Sequence, residues 1–296
     1  MSRTELTALN PQKIAILADS CCDIPAKQAA ETDLFLVPLR ILGPDGEYAD
    51  GVNIFASDIY RRLANGETLS TSLPAGASVE QVLNAIKAQG YEKVIALMLS
   101  SGLSGTYNLL RLTAEQYDGL EIVVFDSKSG SLGSGMMIFQ LLEDLKQGMD
   151  WDQLINQRVP HLIANTFPFF SVDTLEYLQK GGRIGLVTAM AGTMLNIKPI
   201  LTFAEDGQLK SVAKVRGMKQ VQQKYIDTLT TIKGDCKRFN LAIANGAAPE
   251  QMESLRAQME ENFPGYDHFW EGEIGATLSS YIGPGVLGAA ITLLDE

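Results

Sequence analysis

Short unbroken apolar runs, each followed at once by a polar turn and then by a helical pattern, set the rhythm of the first half of the chain. Lys13-Ile14-Ala15-Ile16-Leu17-Ala18 predicts a buried strand. The next residues, Asp19-Ser20-Cys21-Cys22-Asp23-Ile24-Pro25, carry an Asp with Pro two positions on, a helix-start signal. The same order recurs twice. Lys93-Val94-Ile95-Ala96-Leu97-Met98 precedes a Ser/Gly loop and a helix expected from about Gly105. Glu121-Ile122-Val123-Val124-Phe125 precedes Asp126-Ser127 and a helix expected from about Gly133. Residues near 56–65 and 77–89 have helical periodicity. Repeated strand–loop–helix units predict a parallel sheet with helices on both faces.

The rhythm changes near residue 165. Phe167-Pro168-Phe169-Phe170-Ser171-Val172 is strand-like, and Thr174 to Lys180 is helical up to the stop signal Gly181-Gly182. Strands near 199–203 and 208–215 flank the hairpin signal Glu205-Asp206-Gly207. Helix and strand then alternate to a turn at Gly283-Pro284-Gly285. The fold class expected is therefore α/β: an N-terminal parallel-sheet α/β/α domain over residues 1–165 and a second, mixed α/β domain over residues 166–296. Residues 1–12 read as a polar extension. No Pro/Ser-rich linker separates the halves, so a packed interface between them is expected.

Composition narrows the classes of function. Of the 296 residues, 46% are hydrophobic and 20% charged, enough apolar material for a substantial core. A formal net charge of -11 disfavours nucleic acid and anionic membrane as partners, because phosphate contacts need clustered Lys and Arg. Three cysteines, two of them adjacent, form no disulfide framework, and two distant histidines give no metal-ligand spacing. No metal and no cofactor are expected. The N-terminus lacks the apolar stretch of a signal peptide, and no run approaches the ~20 residues of a membrane span. A cytoplasmic location is expected.

The sharpest chemical feature is Leu99-Ser100-Ser101-Gly102-Leu103-Ser104-Gly105-Thr106-Tyr107, where a parallel strand gives way to a helix. In open α/β sheets ligands bind beyond the carboxyl ends of the strands. Helix N-termini, glycines and hydroxyls suit such a loop to a carboxylate or phosphate, and equally to an ordinary helix cap. No Gly-Lys-Ser/Thr follows, which excludes a Walker loop. Gly102-Leu103-Ser104-Gly105 also lacks the second spacer of a nucleophile elbow. Asp19-Ser20 and Thr71-Ser72-Leu73-Pro74 are further hydroxyl-bearing turns, and Arg183 stands among glycines in Gly181-Gly182-Arg183-Ile184-Gly185. Either Arg183 is simply solvated or its unencumbered guanidinium meets an acidic or phosphorylated partner. The run Ala189-Met190-Ala191-Gly192-Thr193-Met194-Leu195, with Met136-Met137, is suited to line a pliable cavity or to fill ordinary core.

Taken in order, these motifs resemble the DegV family of fatty-acid-binding proteins. The likeness runs nearly end to end: Asp19-Ser20, Val37-Pro38-Leu39, Thr71-Ser72-Leu73-Pro74, Ser101 to Tyr107, Asp126-Ser127, Asp173 to Ile184, Ile197-Lys198-Pro199-Ile200-Leu201, Lys214-Val215-Arg216 and Ile282-Gly283-Pro284-Gly285. The resemblance implies a long-chain fatty acid buried between two α/β domains. Hydroxyls would hold its carboxylate, the matching positions being Thr71 or Ser72 and Ser104. It also implies a handoff to a separate fatty-acid kinase, with Arg183 at that encounter, and a binding protein that is not itself an enzyme. Two positions depart from the family pattern. Tyr281 stands where a His commonly lies two residues before the Gly-Pro-Gly turn, and Ala75-Gly76 follows Pro74 where a Ser often sits. A phenol at 281 donates a hydrogen bond without bringing positive charge. A competing reading is an enzyme acting on a small phosphorylated or acylated substrate at the sheet-edge loops, with Asp19, Asp23 and Asp126 as its acids. A third is an adaptor whose lipid is structural.

Overall fold

In the computed structural model, which describes residues 10–190 and 196–295, the first apolar run is strand β1 (Ile14–Asp19). It is followed by β2 (Leu34–Val37), β3 (Arg40–Gly43), β4 (Gly46–Ala49), β5 (Ser70–Ser72), β6 (Lys93–Met98) and β7 (Glu121–Asp126). Strands β2-β1-β6-β7 form one sheet, all parallel. Period-two alternation sends the two sets of side chains to opposite cores. Ile14, Ile16, Ile95 and Leu97 pack on Met137, Ile138 and Leu141 of the helix Leu132–Lys146. Ala15, Leu17, Val94 and Ala96 pack on Val79, Leu83 and Ile86 of the helix Gly76–Ala88 and on Leu110 of the helix Thr106–Ala114. The expected parallel sheet with helices on both faces is present.

Strands β4-β3-β5 form a small antiparallel sheet that the hydrophobic pattern did not predict. Its strands are short and largely polar, so they carry no strong periodic signal. Its turn was visible, since Pro44-Asp45 lies between the paired residues Gly43 and Gly46. The helix Ala56–Ala64 follows and packs on the helix Ala276–Ile282, with Tyr60 Oη and Ser279 Oγ 2.8 Å apart.

The remaining strands are β8 (Thr166–Ser171), β9 (Ile197–Phe203), β10 (Leu209–Arg216), β11 (Phe239–Gly246), β12 (Phe269–Glu273) and β13 (Val286–Leu293). They form a mixed sheet in the order β10-β9-β8-β13-β11-β12, with β11 and β12 parallel and the other pairs antiparallel. Helices Met218–Lys233 and Pro249–Asn262 cover one face through Val221, Tyr225, Leu229, Leu255 and Met259. The other face meets the helix Leu132–Lys146 through Leu132 and Met136. A buried polar chain reinforces that contact. Arg158 Nε donates to Asp144 Oδ2 at 2.6 Å and Gln140 Nε2 donates to Asp144 Oδ1 at 2.9 Å, while Asn240 Nδ2 on β11 donates to Gln140 Oε1 at 2.7 Å. Such a chain is stabilising only while every member is partnered.

Met136 and Met137 are fully enclosed in two different cores rather than on a cavity wall. Residues 191–195 of the Met-bearing run, and residues 1–9 of the expected polar extension, lie outside the described residues. Among the described residues no helix is long and apolar enough to cross a membrane.

The Ser/Gly loop after β6 also touches the β9–β10 hairpin. Ser100 Oγ donates to Gly207 O at 2.8 Å, and a Cβ at Gly102 would overlap the Gly207 backbone. Backbone cannot yield as a flexible side chain can. We therefore expect Gly102→Ala to lower stability by about 1–3 kcal/mol, measured by urea unfolding. An unchanged midpoint would mean that the two loops are not packed in solution as they are here.

Candidate functional site

On the inner face of the six-stranded sheet, β11 and β13 present small side chains. Along β11, Leu241 and Ile243 point to the helices while Ala242 and Ala244 point inward. Along β13, Leu287, Ala289 and Ile291 point to the helices, leaving Gly288 and Ala290 for the inner face. The register stacks these positions in rows, Ala242–Ala290–Pro168 and Ala244–Gly288–Phe170. The rows are too shallow to fill the space beneath them. The result is a cavity of about 290 Å³ bounded by the six-stranded sheet, by β5 of the small sheet, by the loops after β2, β6 and β7 and by the helix Ala276–Ile282. Its walls include Leu39, Leu99, Leu103, Leu132, Phe203 and Leu278.

All four hydroxyl residues singled out in the sequence line this cavity: Thr71, Ser72, Ser104 and Tyr281. Thr71 Oγ1 and Tyr281 Oη are hydrogen-bonded to each other. Ser72 Oγ accepts from Arg40 Nη2 at 2.9 Å. Ser104 Oγ lies 2.8 Å from Thr106 Oγ1 and accepts the Thr106 N–H at 3.3 Å. Thus β5, the Ser/Gly loop and the helix Ala276–Ile282, more than 200 residues apart at the extremes, bring their hydroxyl residues to the wall of one largely apolar space. Arg183 also lines it, but is neither isolated nor merely solvated. Its guanidinium stacks on the Tyr281 ring, 5.1 Å from the centroid, and Nη1 donates to Gly181 O at 2.8 Å. The approach needs Gly181, since a Cβ there would overlap the Tyr281 ring.

The Ser/Gly loop differs from the anion cradle that its sequence suggested. The N–H groups of Ser101, Gly102, Leu103 and Ser104 are taken by Asp126 Oδ1, Ser100 Oγ and, for the last two, Ser100 O. With those four donors taken, the loop lines the cavity through Leu103, Ser104 and Gly105, and Ser104 is its hydroxyl there. Asp126 is held below the usual carboxylate range by hydrogen bonds from Lys128 and Ser101 that outweigh its partial burial. Asp19 does similar work at the end of β1, accepting the N–H groups of Cys21 at 2.9 Å and Leu99 at 2.7 Å. These acids hold loops in place and do not line the cavity.

Two polar cavity residues escaped the sequence reading. Thr277 is buried, and its Oγ1 has no hydrogen-bond partner. Ser131 sits at φ 51° and ψ -140°, a conformation strained for a residue with a Cβ, and donates from Oγ to Asp23 Oδ2 at 2.6 Å. Asp23 and Asp50 stand behind this wall, both with pKa raised by burial. Thr277 precedes Tyr281 at helical i, i+4 spacing, a relation visible only once that segment is known to be a helix. Among the described residues no group of three or more His, Cys, Asp or Glu side chains is placed to hold a metal ion.

Comparison with known proteins places this geometry in a family. A family model described as "uncharacterised protein, DegV family" matches residues 13–293. A DegV domain-containing protein of Clostridium acetobutylicum is 34% identical over 280 residues, covering 95% of this chain and 99% of the relative. A second, from Clostridium perfringens, is 34% identical over 282 residues, covering 95% and 98%. Among solved structures, a DegV family protein from Thermus thermophilus described by its fatty acid binding superposes with a TM-score of 0.88 at 28% identity, covering 95% of this chain and 99% of that one. A stearic-acid-binding protein from Eubacterium ventriosum superposes with a TM-score of 0.83 at 25% identity, covering 95% and 98%.

The buried carboxyls give the fold beside the cavity a pH response. Burial raises Asp19 from 3.8 to about 6, against the two N–H bonds that lower it. The folded state then holds this proton more tightly than the unfolded chain. Stability falls as pH rises from about 4 to about 6, and the cost of the buried charge is fully present above that window. A shift of this size corresponds to about 3 kcal/mol. On going from about pH 7.5 to about pH 4, wild type should gain stability relative to Asp19→Asn by up to that amount in urea unfolding. A difference that stays flat across this range would mean that Asp19 titrates as an ordinary carboxyl.

Proposed function

The chain belongs to the DegV family, and on that footing we propose that it binds a long-chain fatty acid in the cavity between its N-terminal unit, residues 1–165, and its C-terminal unit, residues 166–296. The carrying observation is the cavity's lining: walls of Ala, Leu and Phe, with the hydroxyl residues Thr71, Ser72, Ser104 and Tyr281 set among them and Thr71 bonded to Tyr281. An acyl chain fits the walls and a carboxylate fits the hydroxyls. Each buried methylene contributes about 0.8 kcal/mol, so ~14 of them give on the order of 11 kcal/mol gross, much of which association and ordering offset. The hydroxyls contribute orientation more than affinity, since a carboxylate buried without partners is costly.

On this reading the protein carries its ligand and does not transform it. The carboxylate is presented at the mouth beside the exposed Arg183, where a separate fatty-acid kinase would supply the phosphoryl donor. Arg183 then serves the encounter with that partner. Its stacking on Tyr281 links the partner-facing surface to the headgroup site.

Mass spectrometry of the purified protein, native and after organic extraction, tests the central point. A near-stoichiometric fatty acid released on denaturation is the expected result. A protein that is empty and takes up neither added palmitate nor added oleate would sink the proposal. Tyr281→Phe should weaken binding by about 0.5–1.5 kcal/mol, the net value of one hydrogen bond, and Ser104→Ala by a similar amount. Full affinity in both variants would move the headgroup elsewhere. Ala244→Leu should fill part of the cavity floor and shift the extracted lipid toward shorter chains. Excluding about two methylenes corresponds to a loss of about 1.6 kcal/mol for the longest ligands, and an unaltered chain-length profile would remove β11 from the acyl wall.

A further inference from the structure

Arg40 lies on β3, the central strand of the small sheet, opposite Ser72 on β5 and Ala49 on β4. It does not line the cavity, yet it holds two groups that do. Nη2 donates to Ser72 Oγ at 2.9 Å and Nε donates to Leu73 O at 2.8 Å. Nη1 faces both carboxylate oxygens of Glu47 at 3.2 Å. From this arrangement we infer that Arg40 is a positioning residue that, in addition to the cavity-lining Arg183, strengthens the mouth's preference for a carboxylate over an uncharged headgroup. The inference rests on the proposed fatty-acid reading.

The argument is one of hydrogen-bond direction and charge. A serine hydroxyl has one proton and two lone pairs, and a guanidinium only donates. With Arg40 occupying a lone pair, the Ser72 proton points away from the guanidinium and serves as a donor. Nε holds the Leu73 carbonyl and so fixes the turn that follows Ser72. The mouth hydroxyls bring no net charge of their own. Arg40 places a permanent cation one hydroxyl away from the ligand, with its side chain only 31% exposed. A carboxylate can only accept hydrogen bonds and carries the opposite charge, whereas an alcohol gains little from an oriented donor beside a cation. Glu47, in direct contact with Nη1 and with its side chain 50% exposed, partly offsets that cation.

Displacement of bound cis-parinaric acid, at about pH 8 where the carboxyl is ionised, gives dissociation constants for oleate and for oleyl alcohol. The readout is their ratio, because a purely structural role for Arg40 would weaken both lipids alike. Wild type should bind oleate more tightly. In Arg40→Gln the preference should fall roughly five- to tenfold. Arg40→Lys should be intermediate, since an ammonium lacks the planar fork that reaches both acceptors. Glu47→Gln should move the ratio the other way, raising the preference roughly twofold. A ratio unchanged in Arg40→Gln, or unchanged in Glu47→Gln, overturns the inference while leaving fatty-acid binding intact. A wild-type protein that binds acid and alcohol equally overturns it before any variant is made. One that binds neither removes the fatty-acid reading, and this inference with it.

Discussion

A close-packed interior leaves few voids larger than a water molecule, so a cavity of about 290 Å³ must be held open by something. Here it is the alternation along two central strands. β11 and β13 place Leu and Ile toward the helices Met218–Lys233 and Pro249–Asn262, and Ala or Gly toward the cavity and the helix Leu132–Lys146. The outer face is packed tightly enough to fix the strands, and the inner face is too shallow to close the gap. The space is not relieved from the other side, because the helix Leu132–Lys146 is fixed by its own core and by the buried Arg158–Asp144–Gln140–Asn240 chain. Both walls are rigid for reasons unrelated to a ligand. Dispersion contacts left unmade across such a gap are what an acyl chain can supply.

A rigid apolar cavity alone would accept any hydrocarbon. Chemical selectivity needs polar groups where the chain ends, and these do not come from β11 and β13, whose cavity-lining residues are Ala and Gly. They come from elements at the rim: Thr71 and Ser72 on the small sheet, Ser104 on the loop after β6, and Tyr281 near the end of the helix Ala276–Ile282. Each is anchored by a neighbour that is not part of the apolar wall. Arg40 holds Ser72, Thr106 holds Ser104, and Arg183 and Gly181 flank the Tyr281 ring. The mouth is therefore a constellation on short, polar elements supported by longer ones. Its preorganisation lowers the ordering cost of binding.

That division explains what could be read from the sequence. The apolar runs at 14–19 and 93–98 are strands of the sheet interior, and the run at 121–126 is a half-buried edge strand. Each was legible because it is short, unbroken and bounded by turn signals, and their loops lie where α/β sheets place ligands. The site hydroxyls were found through the ordered motifs, because local pattern alone does not separate Thr71-Ser72 from an ordinary turn. The small sheet was missed because its strands have no apolar period, and with it went Arg40, whose role depends on a cross-strand neighbour 32 residues away. Thr277 and Ser131 were missed for a different reason. Their importance comes from facing a cavity, and a cavity is a property of packing between segments rather than of any one of them.

The same distinction settles how the carboxyls near the strand ends are used. In the sequence, Asp19, Asp23 and Asp126 look like candidate acids because they sit at the edge of a parallel sheet. In the fold, Asp19 accepts N–H groups from two loops at once, and Asp126 accepts from Ser101 and Lys128. Asp126 thereby takes up N–H groups beside the mouth, and Asp19 fixes the loop that begins at Leu99. A backbone donor already bonded to a carboxylate is not available to a ligand. Recognition is thus shifted from main chain to side chains, and specificity comes to depend on hydroxyl orientation, which a single well-placed guanidinium can set.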